Sequence, residues 1–332
     1  MNTTVLPNML DRDPATMPLE EIDISYIDLW KNDAKWPFFK RLRDEAPVHY
    51  CRNSEYGAFW SITRFEDIME VEKNWEIFSS YPRISIGDPV EGSTFSTPTF
   101  IAMDPPNHDD QRKTVQGAVA PQNLKELEAT IRSRAAQILD DLPLGETFNW
   151  VDRVSIELTT QMLATLFDFP FEDRSKLTRW SDIVFARLGE GIIESHEQRQ
   201  EELMECLAYF TRLWKEREDN PVGNDFISMM IRGDATRDLS PQEYLGNILL
   251  LIVGGNDTTR NSISGGVLAL NQHPQEYQKL RDNPAVIPNM VSEIIRWVTP
   301  LAHMRRTVTK DYEFRGQQKK AGDKVIMWYA SG

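Results

Sequence analysis

Leu249 to Val253 is the most apolar run in the chain, and Gly254-Gly255-Asn256-Asp257-Thr258-Thr259 follows it at once. Two adjacent glycines inside a helix cost about 1 kcal/mol each relative to alanine. Polar side chains after them cost more if they are buried. Close packing against a second helix, or a kink, would account for the glycines. A second account gives the missing side chains a use. Gly254 and Gly255 open a groove in which a small ligand fits against the backbone, and Asp257 and Thr258 set a carboxylate and a hydroxyl beside it. Gly254 and Thr258 stand four apart and share a helical face, so gap and hydroxyl are neighbours. Delivery of protons to bound dioxygen requires such an arrangement.

Three further groups of residues could do chemistry. Asp104-Pro105-Pro106-Asn107-His108-Asp109-Asp110-Gln111-Arg112 reads as a helix start capped by Asp104, with His108 and Arg112 projecting from one face. A solvated helix start explains the pair, and so does a two-pronged site for an anionic group, since the arginine fork suits a carboxylate. Glu293 and Arg296 stand three apart, which on a surface makes an ion pair worth a few tenths of a kcal/mol. Arg305 and Arg306 lie in an extended segment and point to opposite faces, so only one of them can serve a given site. The five histidines include no pair four apart, and Cys51 and Cys206 have no partners in motif spacing, so no metal ligand is assigned within this chain.

These groups need a long element to position them. Ser240 and Glu243 form a capping box, and Pro241 takes the first helical position, where a missing N–H costs nothing. The helix runs to about Gln272, where Pro274 stops it. Thirty-odd residues span roughly 45–50 Å, enough to cross a domain. From Pro121, the residues Leu124, Leu127, Ile131, Ala135, Ile138 and Leu142 recur at helical spacing. Val151 to Leu166 reads as another helix, Leu177 to Arg217 as two more, and Ile287 to Val298 as the last. Shorter helices are expected at Pro37 to Glu45 and Phe65 to Asn74. Val48 to Cys51 and Ala58 to Thr63 read as a hairpin, and Met304 to Val308 and Val325 to Trp328 as strands. Tyr81 to Thr99 is a long loop, of a length that is usually functional. Residues 1–21 read as a loosely held arm. The expected class is mainly α with a small β-sheet (α+β). Segments from both ends build that sheet, which favours one domain over 1–332.

Composition narrows the partners. A formal charge of −14 repels nucleic acid and anionic membranes from the average surface. No stretch of roughly eighteen uncharged apolar residues could span a bilayer. The opening segment lacks the apolar core of a secretory signal. Two cysteines make no disulfide framework, so a reducing compartment, the cytoplasm, is expected.

The motif at 254–259 resembles the oxygen-binding helix of cytochromes P450, A/G-G-x-D/E-T-T. The stretch 104–112 is similar to that family's D-x-P-x-H-x-x-x-R, and Glu293-Ile294-Ile295-Arg296 to its E-x-x-R. Arg305 follows at the family's distance. The resemblance covers essentially the whole chain and implies the P450 fold, haem b, dioxygen, and electrons from NAD(P)H through a ferredoxin or similar carrier and its reductase. By it, Thr258 hydrogen-bonds the iron-bound oxygen ligand and Asp257 relays protons. His108, Arg112 and Arg305 hold haem propionates, and Glu293 with Arg296 forms a buried structural pair. The implied activity is a monooxygenase inserting one oxygen atom into an unactivated C–H bond.

One feature departs from the pattern. The family's haem-ligating cysteine lies in a loop F-x-x-G-x-H/R-x-C-x-G, and neither Cys51 nor Cys206 sits in such a context. The chain is therefore expected to be truncated at its C-terminus and inactive as it stands, with the activity belonging to a full-length parent. Phe95, Phe100, Ile101 and Met103 in the loop, with Leu250 and Val253 on the helix, suit an apolar substrate. The segments 95–106 and 299–306 look similar to soluble bacterial alkane and fatty-acid terminal hydroxylases, which implies terminal hydroxylation of medium-chain alkanes or fatty acids. A terpene or steroid hydroxylase of the same family, and a non-catalytic helical binding scaffold, are the alternatives. Docking of an acidic electron carrier needs a local basic patch, for which Arg112 and the Lys113 region are candidates.

Overall fold

A computed structural model describes residues 8–88 and 96–332. Contacts divide the chain into two compact units: Met1–Ser93 with Ile101–Asp104 and Leu301–Gly332, and Thr94–Phe100 with Pro105–Pro300.

The first unit joins both ends of the sequence. It holds helices α1 (Ile27–Lys31), α2 (Trp36–Glu45) and α3 (Phe65–Lys73), and strands β1 (Val48–Cys51), β2 (Phe59–Ile62), β3 (Phe78–Ser79), β4 (Met304–Val308), β5 (Tyr312–Phe314), β6 (Gln317–Lys319) and β7 (Lys324–Met327). The sheet order is β1-β2-β7-β4-β3, and β5 pairs with β6 alone. β2 and β7 run parallel, with Trp60 opposite Val325, so the early hairpin and the last strand share one ladder. Phe39, Phe59 and Trp328 fill the core beside the sheet. The hairpin and both late strands lie where the residue pattern placed them. β3 and the β5–β6 hairpin are too short to show alternation.

The opening segment differs from the expected loose arm. Among residues 8–21, Met9 and Met17 are buried with Leu29 and Phe38. The Arg41 guanidinium donates to the Pro14 and Met17 carbonyls, and His49 Nε2 lies 2.8 Å from the Leu19 carbonyl. Two buried methionines and these backbone clasps hold the segment down. The polar residues between them hid the anchors.

The second unit is helical: α4 (Asn107–Gln116), α5 (Pro121–Asp140), α6 (Glu157–Leu166, entered through a π turn, Val151–Ile156), α7 (Ser175–Phe185), α8 (His196–Arg217), α9 (Phe226–Arg232), α10 (Pro241–Gln272), α11 (Pro274–Asp282) and α12 (Ile287–Val298). α10 packs against α6, α7, α8 and α12 and runs through the middle of the unit. Its capping box is formed: Glu243 N donates to Ser240 Oγ at 3.3 Å, and Ser240 N donates back to the Glu243 carboxylate at 3.0 Å. Tyr244, Leu245, Ile248, Leu249 and Ile252 are all buried, as the apolar run requires. Asp104 does not cap α4. That helix starts from Pro106 without a side-chain cap, and Asp104 accepts from Ser79 Oγ and Ser80 N in the first unit.

Candidate active site

The two motif glycines on α10 have different neighbours. A Cβ on Gly254 would meet nothing within 4 Å, whereas one on Gly255 would lie 2.7 Å from Leu163 Cδ2 of α6. Space is thus open beside Gly254, whereas the missing side chain of Gly255 lets α6 approach. Asn256, between the glycines and the acid, is fully buried and accepts a hydrogen bond from Thr159 Oγ1 at 2.9 Å. Leu250, Val253 and Thr258 are half-buried, and Leu250 and Thr258, each four residues from Gly254, fall on its side of the helix. Thr258 Oγ1 donates to the Gly254 carbonyl at 2.9 Å, one turn back along the helix. The hydroxyl therefore stands at the edge of the open stretch.

Asp257 lies beside a different set of groups. Arg260, one turn on, donates to the Asp257 carboxylate and, at 3.0 Å, to Asp182 of α7. Burial raises the Asp257 carboxyl above its ordinary range; Arg260 opposes this and Asp182 adds to it. Asp257, Arg260 and Asp182 border a crevice of about 300 Å³ that Arg187 and Glu190 also line. Sequence reading missed Arg260 and Asp182. The i, i+3 spacing of Asp257 and Arg260 was the available signal for the first.

The loop ahead of α4 reaches α10 one turn before Leu250. Phe100 N donates to Asn247 Oδ1 at 3.0 Å, and Asn247 Nδ2 donates to Gln111 Oε1 at 2.8 Å. Phe100 is buried and its ring centroid lies 6.3 Å from that of His108. Asn247 was not legible as a site residue, since nothing in its spacing separates it from a core asparagine. In the first unit Ile101 is half-buried. Phe95 lies outside the described residues.

The ionic groups divide as follows. His108 Nδ1 is 2.7 Å from Asp109 Oδ1, and Arg112 is exposed. In the first unit Arg305 is buried and pairs with Asp88 at 2.6 Å, while Arg306 pairs with Glu72 at 2.6 Å. The two arginines do take opposite directions. Arg296 clasps Glu293 through two hydrogen bonds of 2.7 and 2.6 Å, but their side chains are 66% and 57% exposed. The expected buried pair is thus a formed but surface pair, because no described residue covers that side of α12. Ile287, Val291, Ile295 and Trp297 of the same helix are exposed with it.

Within the first unit Arg305 has the chemistry to meet a haem carboxylate, whereas neither cysteine of the chain has the chemistry to meet its iron. The Nε atom of Arg305 is buried with no partner among the described residues, so an anionic group has a donor waiting for it. Neither cysteine suits a thiolate ligand. Cys51 is buried in β1 and Cys206 inside α8, and burial pushes both thiols up, the reverse of what a thiolate needs. Among the described residues no cluster of His, Cys, Asp and Glu could hold a metal ion. No described helix is long and apolar enough to cross a membrane.

Comparison with known proteins bears on the family and the fold. The sequence model of the Cytochrome P450 family matches residues 126–331. Linalool 8-monooxygenase of Pseudomonas putida is 32% identical over 95% of this chain and 80% of its own length. A methyl-branched lipid omega-hydroxylase of Mycobacterium tuberculosis is 29% identical over 100% of this chain and 80% of its own. The structure of cytochrome P450-153 from Novosphingobium aromaticivorans superimposes with a TM-score of 0.86 at 47% identity, covering 93% of this chain and 78% of that one. The mainly helical fold with its small sheet is that of these proteins. The non-catalytic scaffold gives way to an oxidoreductase, and the chain belongs to the cytochrome P450 family of monooxygenases.

Proposed function

We propose that the full-length parent of this chain hydroxylates the terminal carbon of medium-chain alkanes or fatty acids. The observation that carries this reading is the open stretch of α10, where half-buried Leu250 and Val253 lead to the gap at Gly254 and the Thr258 hydroxyl. An apolar chain would lie along Leu250 toward the open space at Gly254, with Asp257 as the charged group one turn on. Phe100, held by its backbone to Asn247, adds an apolar wall in the same unit. Ile101 is assigned to the pocket on sequence alone. The relative named an omega-hydroxylase supports terminal attack.

Haem with a thiolate ligand, which neither Cys51 nor Cys206 supplies, would contribute the oxidising chemistry with dioxygen and two electrons. The chain's residues supply position and protons. Thr258 Oγ1, fixed by the Gly254 carbonyl, holds a hydroxyl proton at the gap. Asp257, with its carboxyl raised by burial and open to a crevice, takes up protons and passes them toward Thr258. His108 and Arg112 of the second unit, and Arg305 of the first, are each assigned to a haem propionate. Glu293 and Arg296 act structurally. Electrons come from NAD(P)H through a ferredoxin-like carrier and its reductase, for which exposed Arg112 and Lys113 offer a basic contact. The cytoplasm is the proposed location.

The test uses the full-length parent, its thiolate-ligated haem verified by the carbon monoxide difference spectrum, with a ferredoxin and reductase. Octane, dodecanoate and linalool are offered separately and the products identified by gas chromatography. Terminal alcohols from the first two are expected. Turnover confined to linalool would overturn the substrate assignment in favour of a terpene hydroxylase, the reading that the linalool-oxidising relative favours.

A further inference from the structure

The first unit gathers three cations around one carboxylate. Arg305 Nη1 donates to Asp88 Oδ1 at 2.6 Å, and Lys324 Nζ donates to Asp88 Oδ2 at 2.9 Å and to the Tyr56 carbonyl. Arg83 adjoins them: Arg305 N donates to the carbonyl of Ile84, the next residue, at 2.7 Å. Among the described residues, Arg83 Nη1 donates only to the Gly87 carbonyl, at 3.3 Å. Two formal positive charges are left over among these four groups. The Nε atoms of both Arg83 and Arg305 are buried and have no partner among the described residues. The Arg305 side chain is 7% exposed, so its charge is desolvated, whereas Asp88 is 54% exposed.

Buried guanidinium groups are kept in natural proteins when something satisfies them. One half-exposed carboxylate does not satisfy three cations. Burial, together with the charge of Arg305, holds the Arg83 guanidinium below its usual range, so the two arginines repel one another in this state. A second carboxylate would relieve that repulsion, and carboxylates are the partners that guanidinium groups bind best.

We propose that Arg83 joins Arg305 in a carboxylate-binding site, with Asp88 as the site's own exchangeable counter-ion. The carboxylate belongs either to a haem propionate, which rests on the function proposed above, or to a fatty-acid substrate. Arg83 is a recognition residue that no sequence motif singled out. Asp88 holds the cations together when the site is empty and moves toward solvent when it fills.

The 332-residue chain is titrated with hemin and with hemin dimethyl ester, followed by quenching of tryptophan fluorescence, and with dodecanoate, followed by calorimetry. For a propionate site, R83Q weakens hemin binding about tenfold and leaves the ester unchanged, R83K falls between, and D88N tightens hemin. An ester bound as tightly as hemin, combined with dodecanoate binding that R83Q weakens, assigns the site to the substrate's carboxylate. Dodecanoate binding that depends on Arg83 while neither porphyrin binds leaves the site standing and overturns the haem reading. Hemin bound equally by the parent, R83Q and D88N, with dodecanoate indifferent to both substitutions, overturns the proposal and leaves the haem reading intact. A misfolded R83Q is recognised because it loses the ester as well.

Discussion

The packed and the open positions of α10 hold the same residue type for opposite reasons. At Gly246, Gly255 and Gly266 a methyl group would stand 2.0 Å from the Pro98 carbonyl oxygen, 2.7 Å from Leu163 Cδ2 and 2.8 Å from Ile294 Cδ1. Each of these glycines lets a neighbouring segment lie against the helix. At Gly254 the same methyl would touch nothing. A glycine in a helix with free space beside it forgoes about 1 kcal/mol of helix propensity with no packing gain. What separates the two kinds is therefore the surroundings: packing accounts for the first kind and not for Gly254.

Substitutions test that contrast directly. The largest effect is expected at Gly246, where the obstacle is backbone and cannot rotate away. Gly246→Val should cost about 3 kcal/mol in urea denaturation and free the loop that Phe100 and Asn247 tie down. A loss under about 1 kcal/mol would mean that the loop does not press on the helix. Gly255→Ala meets the end of a leucine, which can shift, and should cost about 1–2 kcal/mol. At Gly254 the sign reverses: Gly254→Ala should stabilise the chain by about 1 kcal/mol, and in haem-loaded enzyme it should lower turnover by filling the groove. Equal signs for the two neighbouring alanine variants would erase the distinction between them.

How much of this was legible follows from where the deciding atoms sit. The span and cap of α10 were readable from Ser240, Glu243 and Pro274, because those signals are local. Helix Ile287–Val298 was likewise fixed by its own periodicity and the proline after it. Gly254 and Gly255 could not be told apart, since the difference lies in Leu163, roughly ninety positions earlier and on another helix. The same holds for Arg260, whose second partner is Asp182, and for Arg83, whose neighbours Arg305 and Lys324 come from the far end of the chain. Glu293 and Arg296 show the converse. Their pairing is local and was readable, but whether a pair is buried depends on what lies over it. Lys319 was invisible altogether: it is buried over the Trp60 ring at 4.1 Å in a three-residue strand with no readable alternation.

Asp257 stands between the packed and open positions and yields the smallest effect. It is half-buried and shares Arg260 with Asp182, so its carboxylate is partly desolvated and only partly compensated. Burial is the larger influence, and it sets the folded-state pKa above that of the unfolded chain. The folded protein then binds more protons than the unfolded one between the two values. The stability this gives is fully present below the unfolded pKa of about 3.9 and is lost as pH rises through the folded value. Asp257→Asn removes the titration. Urea midpoints measured across the acid range should therefore move in favour of the variant as pH rises, and become parallel once the carboxyl has ionised in both states. Curves parallel from the start would mean that the carboxyl keeps its ordinary pKa and is well solvated. Asp257 would then be a surface acid paired to Arg260, and proton uptake from the crevice would need another group.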